Sequence, residues 1–162
     1  SAIRKYTGVE AGIKWPNDLL ARGRKLCGIL LESSAGPGGL QYAIAGIGIS
    51  ANLSEEDYPA ELRDIATSLL IEGGMPVNRE QLAAELLRQL EYHYRLYIEQ
   101  GLKPIARLWE EQSVTLGRRI GLETPRGWLE GMAVGLGEDG GLLLREDNGS
   151  VTSVFSGEIT LI

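Results

Sequence analysis

The run Lys25-Leu26-Cys27-Gly28-Ile29-Leu30-Leu31 constrains the fold of this chain more than any other segment. Its aliphatic residues occupy consecutive rather than alternating positions, so both faces of the strand they form seek burial. Such a strand belongs at the centre of a covered sheet. Gly28, in its interior, marks close approach of a ligand or of another backbone. Arg22, Arg24 and Lys25 precede the apolar run and Glu32 follows it. Because a buried ammonium must be paired or moved to a rim, Lys25 sits at the mouth of the sheet, where both a snorkelling lysine and a functional one are found.

A second polar strand end lies just upstream. In Lys14-Trp15-Pro16-Asn17-Asp18, Pro16 removes a backbone donor and forces the preceding residue toward extended geometry, so a strand begun near Ala11 ends here. Asn17 and Asp18 then read as turn residues, suited to an Asx turn or a cap. Antiparallel pairing across the basic loop Ala21-Arg22-Gly23-Arg24 brings Asn17, Asp18 and Lys25 to one rim.

Further strand-like segments cover Lys25 to Ser33 and Gln41 to Ile49, joined at Gly36-Pro37-Gly38-Gly39, a spacing that suits a meander. Asn78 caps a long amphipathic helix with Gln81 at the capping-box position. Leu82, Leu86, Leu90, Tyr94 and Tyr97 form one stripe, read as core packing, before Gly101 ends the helix. A second helix covers about Pro104 to Glu111. Beyond it, short strands broken by Gly117, Gly121, Gly127, Gly131, Gly140-Gly141 and Gly149 predict a small antiparallel barrel and place a boundary near Gln112. The fold class is α+β: a mixed or antiparallel sheet with packed helices over residues 1–112, then a barrel over 113–162.

Composition excludes several functions. With 22 acidic against 16 basic residues among 162, and no basic stripe interleaved with aromatics, the segment is unsuited to nucleic acid. Cys27 is the only cysteine, so no internal disulfide forms and the expected compartment is the cytoplasm. No apolar run is long enough to span a membrane. His93 stands beside Tyr92 and Tyr94 without ligand-spaced partners, which argues against a structural metal site or a His-based triad. Gly46-Ile47-Gly48-Ile49-Ser50-Ala51 satisfies a loose dinucleotide fingerprint. The polar, acidic and proline-interrupted stretch Asn52 to Pro59 supplies no helix to hold a pyrophosphate, so a Rossmann unit is rejected.

Taken together, Lys14-Trp15-Pro16-Asn17-Asp18, Gly23-Arg24-Lys25-Leu26-Cys27-Gly28-Ile29-Leu30-Leu31-Glu32 and Ala45-Gly46-Ile47-Gly48-Ile49-Ser50-Ala51-Asn52 resemble the biotin protein ligase family. Ala66-Thr67-Ser68-Leu69, the Trp109 helix, Leu116-Gly117-Arg118 and Ser156-Gly157-Glu158-Ile159 continue the likeness in order. The resemblance implies a catalytic domain of the class II synthetase and lipoate-ligase type followed by an SH3-like domain. It also implies an ATP-dependent ligase that forms biotinyl-5′-AMP and transfers biotin to a lysine of a biotin carboxyl carrier protein of acetyl-CoA carboxylase.

Carried over residue by residue, the resemblance makes Lys25 the catalytic cation and a biotin contact. Gly28, Ile29 and Leu30 become the biotin slot, and Asn17, Asp18, Gly46, Gly48, Ser50 and Asn52 the nucleotide contacts. Biotin and ATP are the implied substrates, with Mg²⁺ on the phosphates, and paired sheet edges imply a homodimer. The chain departs from the family pattern Gly-x-Gly-x-Asn-x-Asn at Ser50, which replaces the first asparagine. The family's Gly- and Arg-rich loop lies upstream of Lys14 in its other members, so this chain reads as the C-terminal part of a ligase. The alternatives are a catalytically incomplete biotin- or carrier-binding module and a lipoate-ligase-like acyltransferase.

Overall fold

The structure, a computed structural model, describes residues 2–124 and 127–162. The chain runs α1 (Ala2–Thr7), β1 (Gly12–Lys14), β2 (Asp18–Ala21), β3 (Arg24–Gly36), β4 (Gly39–Ile49), α2 (Leu69–Gly73), α3 (Arg79–Gln100), α4 (Leu102–Glu110), β5 (Arg119–Thr124), β6 (Gly127–Leu136), β7 (Leu142–Arg145), β8 (Val151–Val154) and β9 (Ile159–Leu161). It divides into two compact units, Ser1–Ala11 with Asn17–Ala83, and Gly12–Pro16 with Ala84–Ile162.

In the first unit β2, β3 and β4 pair antiparallel, with β3 in the centre. Gly36 faces Gly39, leaving Pro37 and Gly38 as a two-residue turn. Gly39 has φ +96°, a conformation that favours glycine. Two expectations need correction. Asp18, expected in a turn, is the first residue of a separate strand, β2, which also carries Leu19 and Leu20. The central strand is also not covered along its length: Leu26 and Cys27 are buried, but Leu30 and Leu31 are 62% and 66% exposed, and Leu40, Tyr42 and Ile44 of β4 are exposed as well. A continuous apolar run signals the demand for burial, whereas the covering must come from other elements.

The cap on α3 is as expected on one side only. The Gln81 amide N–H donates to Asn78 Oδ1 at 3.0 Å, but the Gln81 side chain accepts from Tyr6 Oη at 2.7 Å instead of returning to the cap. Gly101, with φ +74°, follows the helix, and its N–H donates to Tyr97 O. Along the predicted stripe only Leu82 is buried, while Leu90, Tyr94 and Tyr97 are exposed, so the reading as core packing does not hold for these positions. Periodicity shows which side chains share a face and not whether anything lies against it.

In the second unit β1 is held by main-chain bonds from Ile13 N–H to Gln112 O and from Val114 N–H to Ile13 O. Five antiparallel strands follow in the order β8-β7-β6-β5-β9. Ile120 and Leu122 of β5, Leu142 and Leu144 of β7, Val154 and Ile159 point into one core with Trp15, the period of two that a one-sided sheet requires. Among the described residues β8 and β9 are the two edges and do not pair, so the strands predicted as a barrel form an open sheet. Glycine spacing sets the number of strands, but closure depends on tilt and stagger that spacing does not encode.

Gly131 is where the β6–β7 pairing has least room. A Cβ there would lie 2.7 Å from Arg145 O and 3.0 Å from Arg145 C, both backbone atoms of the paired strand. Gly131→Ala is expected to destabilise the protein by about 1–3 kcal/mol. Gly38→Ala, whose Cβ meets nothing within 4 Å, stays within about 0.5 kcal/mol of the parent. Urea denaturation of both variants measures the difference.

Candidate active site

A cavity of about 460 Å³ opens on the sheet of the first unit, lined by Asn17, Asp18, Lys25, Gly28, Ile29, Leu30, Gly46, Ile47 and Gly48. Each polar group reaches it through local pairing. Asn17, in the turn after Pro16, clamps β3: its Nδ2 donates to Ile29 O at 2.8 Å, and its own carbonyl accepts from Ile29 N–H at 2.9 Å. Asp18 faces Gly28 across the β2–β3 ladder, and its Oδ1 lies 2.7 Å from Lys25 Nζ. The register slips between Leu19 and Leu20, just where the strand pairs with Lys25. The Lys25 side chain is 53% exposed, so its ammonium remains open to solvent and to a ligand at the rim.

The floor of this cavity is nearly free of side chains. Gly28 faces Gly48, and Leu30 faces Gly46. By the alternation of strands these four residues share a face, so three of the four positions present bare backbone. A Cβ on Gly28 would stand only 3.4 Å from Lys25 Cε and 3.5 Å from Asp18 Oδ1. Glycine therefore keeps open the space beside the ammonium. Cys27 is buried against this ladder, and its thiol is pushed up to about 11, chiefly by burial and further by the Asp18 charge, with Lys25 acting in the opposite direction.

Ser50 and Asn52 lie apart from this cavity. With Gly48 and Arg79 they line an adjoining groove of about 540 Å³. The main chain of Ser50 is tied down by bonds from Ser50 N–H to Leu26 O and from Leu69 N–H to Ser50 O. The amide of Asn52 is occupied on both sides, donating to Val77 O at 2.9 Å and accepting from Val77 N–H at 2.7 Å. As it stands, this side chain joins two loops.

Sequence reading did not find Glu72, whose carboxylate is buried behind the Lys25 strand. The available signal was one acid closing the apolar run Leu69-Leu70-Ile71 at the start of a short helix. Among the described residues no group of three His, Cys, Asp or Glu side chains is placed to hold a metal ion, and no helix is long and apolar enough to cross a membrane.

The fold that holds Lys25 at this glycine-floored cavity is shared with solved biotin protein ligases. The Aquifex aeolicus enzyme in its apo form superposes with a TM-score of 0.86 at 28% identity, over 99% of this chain and 69% of that one. The same enzyme in complex with biotin and ATP gives 0.80 at 28% identity, over 99% and 66%. Residues 1–50 match the Biotin/lipoate A/B protein ligase family, and residues 115–161 match the Biotin protein ligase C terminal domain. The bifunctional ligase/repressor BirA of Bacillus subtilis is 38% identical over 98% of this chain and 49% of its own length. The biotin-acetyl-CoA-carboxylase ligase of Mycobacterium tuberculosis is 36% identical over 91% and 51%. The chain belongs to the biotin protein ligase family, and it spans about half the length of these relatives.

Proposed function

We propose that this chain carries the lysine-bearing part of an ATP-dependent biotin protein ligase, with residues 1–112 contributing to the catalytic domain and 113–162 forming the SH3-like C-terminal domain. The observation that carries this reading is the Lys25 ammonium, paired to Asp18 at 2.7 Å on the rim of a cavity floored by Gly28, Gly46 and Gly48, in a fold shared with a ligase that holds biotin and ATP. In the reaction a biotin carboxylate oxygen bonds to the α-phosphorus of ATP while the bond to the pyrophosphate oxygen breaks. Biotinyl-5′-AMP and pyrophosphate result. A lysine amine of the carrier protein then attacks the acyl carbon, and AMP leaves.

The first step brings two anions together, so its main demand is charge neutralisation with fixed positioning. Lys25 meets that demand as a compact point charge that would reach both the carboxylate and the α-phosphate oxygens. Ile29 and Leu30 offer apolar walls to the biotin tail, and the glycine floor admits its flat end. Asn17 holds β3 in register, while Asp18 orients the ammonium. Gly46, Gly48, Ser50 and Asn52 form the nucleotide side, Asn52 by shaping its loop. Mg²⁺, the implied companion of the nucleotide, would neutralise its phosphates; among the described residues no carboxylate cluster is placed to hold it, and Asp18, the carboxylate lining the cavity, is engaged by Lys25. The biotin carboxyl carrier protein is the acceptor in this reading, a homodimer the assembly, and the cytoplasm the compartment, in keeping with a single buried thiol.

Isothermal titration of the 162-residue chain with biotin, and separately with lipoate, tests the proposal. Saturable binding of biotin with no heat from lipoate is the expected result. Binding of lipoate in place of biotin overturns the biotin assignment and favours a lipoate-ligase-like acyltransferase.

A further inference from the structure

The backbone of Lys25 is held on both sides by one short segment. Its N–H donates to Ile65 O at 2.7 Å, and its carbonyl accepts from Thr67 N–H at 2.9 Å. Behind this pairing lies Glu72 of α2, whose side chain is 2% exposed. Glu72 Oε1 accepts from Thr67 Oγ1 at 2.8 Å and from Arg24 Nη2 at 3.0 Å, while Glu72 Oε2 stands 3.3 Å from Arg22 Nε. Arg24 immediately precedes Lys25, and Arg22 takes φ +48°, a conformation uncommon for a residue with a side chain. One buried carboxylate thus ties together the turn that leads into Lys25 and the segment that pairs with it.

We propose that Glu72 is a positioning residue for Lys25: by anchoring Arg22, Arg24 and Thr67 it fixes the strand mouth from which the Lys25 ammonium reaches the cavity. The proposal rests on the ligase reading only for the identity of the ligand, since the anchoring itself is a property of the folded chain. Burying a carboxylate is costly, and even a well-paired buried ion cluster adds little net stability over an apolar substitute. What such a cluster supplies here is a single geometry. Without the charge, exposed Arg22 turns to water. Arg24 loses its buried charged partner and keeps at most a neutral acceptor there, beside Glu55 at 3.8 Å and the Arg63 carbonyl at 3.4 Å, which are longer and more exposed contacts. The turn then no longer has to hold its left-handed residue, and the start of β3 loses the fixed point that sets Lys25 against Asp18. Displacement of a charged group by about 1 Å is enough to cost most of its effect on a bound anion.

Glu72→Gln keeps the size and the acceptor oxygen but removes the charge. Amide hydrogen exchange by NMR on the 162-residue chain is expected to accelerate about tenfold or more at Lys25 and Thr67, with Ile29, held by Asn17, unchanged. Uniform acceleration at all three amides, or at none, overturns the proposal, because a merely structural carboxylate would loosen the whole unit or nothing. Where Glu72→Gln does not fold, Thr67→Val carries the test. It removes one link to Glu72 while leaving the ion cluster intact, and acceleration at Lys25 without acceleration at Ile29 is again the expected result.

Biotin titration supplies the second readout. Glu72→Gln should weaken binding about 5- to 20-fold, and the double variant with Lys25→Gln should bind no more weakly than Lys25→Gln alone, since one residue acts through the other. Additive losses overturn the positioning role. If the parent chain binds no biotin, the ligase reading fails while the exchange measurement still decides whether Glu72 positions Lys25.

Discussion

Lys25→Gln is expected to weaken biotin binding by about 10- to 100-fold, the range for losing a hydrogen bond to a charged group, and to slow adenylate formation in the complete ligase by roughly 10²–10³-fold. Glutamine keeps much of the side-chain length and one donor group, so the loss reports the charge. The variant also leaves the Asp18 carboxylate, now 2.7 Å from the ammonium, without its counter-ion beside the anionic ligand. Lys25→Arg should restore binding only in part, because a planar guanidinium needs the space that Gly28 leaves for a single ammonium. Lys14→Gln serves as the charge control. Titration calorimetry on the chain and steady-state kinetics on the complete ligase read these effects. Parent-like behaviour of Lys25→Gln with a crippled Lys14→Gln would move the catalytic assignment to the other lysine.

Ile120→Ala is expected to destabilise the second unit by about 2–5 kcal/mol, through lost burial and the cavity left behind. Ile120 is fully buried among Leu122, Leu142, Leu144 and Trp15, and its backbone lies in β5, paired on one side with β6 and on the other with β9. Neither neighbour can collapse into the space without breaking a ladder, which puts the cost toward the upper part of that range. Urea denaturation followed by tryptophan fluorescence is a direct readout, since Trp15 belongs to the same core. A shift of under about 0.5 kcal/mol, the size of an ordinary surface substitution, would show that this core is not a close-packed unit.

Much of the site was legible because its signals are local. The apolar run through Gly28, the break at Pro16 and the Gly36–Gly39 turn each act over a few residues, and together they bring Asn17, Asp18 and Lys25 to one rim. The cap at Asn78 and the stop at Gly101 were legible for the same reason. Other features depend on partners distant in sequence. Leu30, Leu31 and the α3 stripe have strongly apolar patterns yet remain exposed, because burial depends on what packs against a face. Leu19 and Leu20 are too few to announce a strand, and only pairing with β3 makes them one. The role of Asn52 turns on Val77, and that of Glu72 on Arg24, which lies 48 positions away. No window along the chain contains such pairs.

Cys27 makes the site observable without a ligand label. As the only thiol in the chain, buried in β3 beside Gly28 and held protonated well above neutral pH, it is shielded from alkylating reagents in the closed state. Its modification at pH 7 must therefore pass through transient opening of the sheet, and the labelling rate becomes a clock for that opening. Occupation of the adjacent glycine floor would slow the clock, so a single-residue mass shift followed over time reports both the breathing of the strand mouth and its closure by whatever binds there.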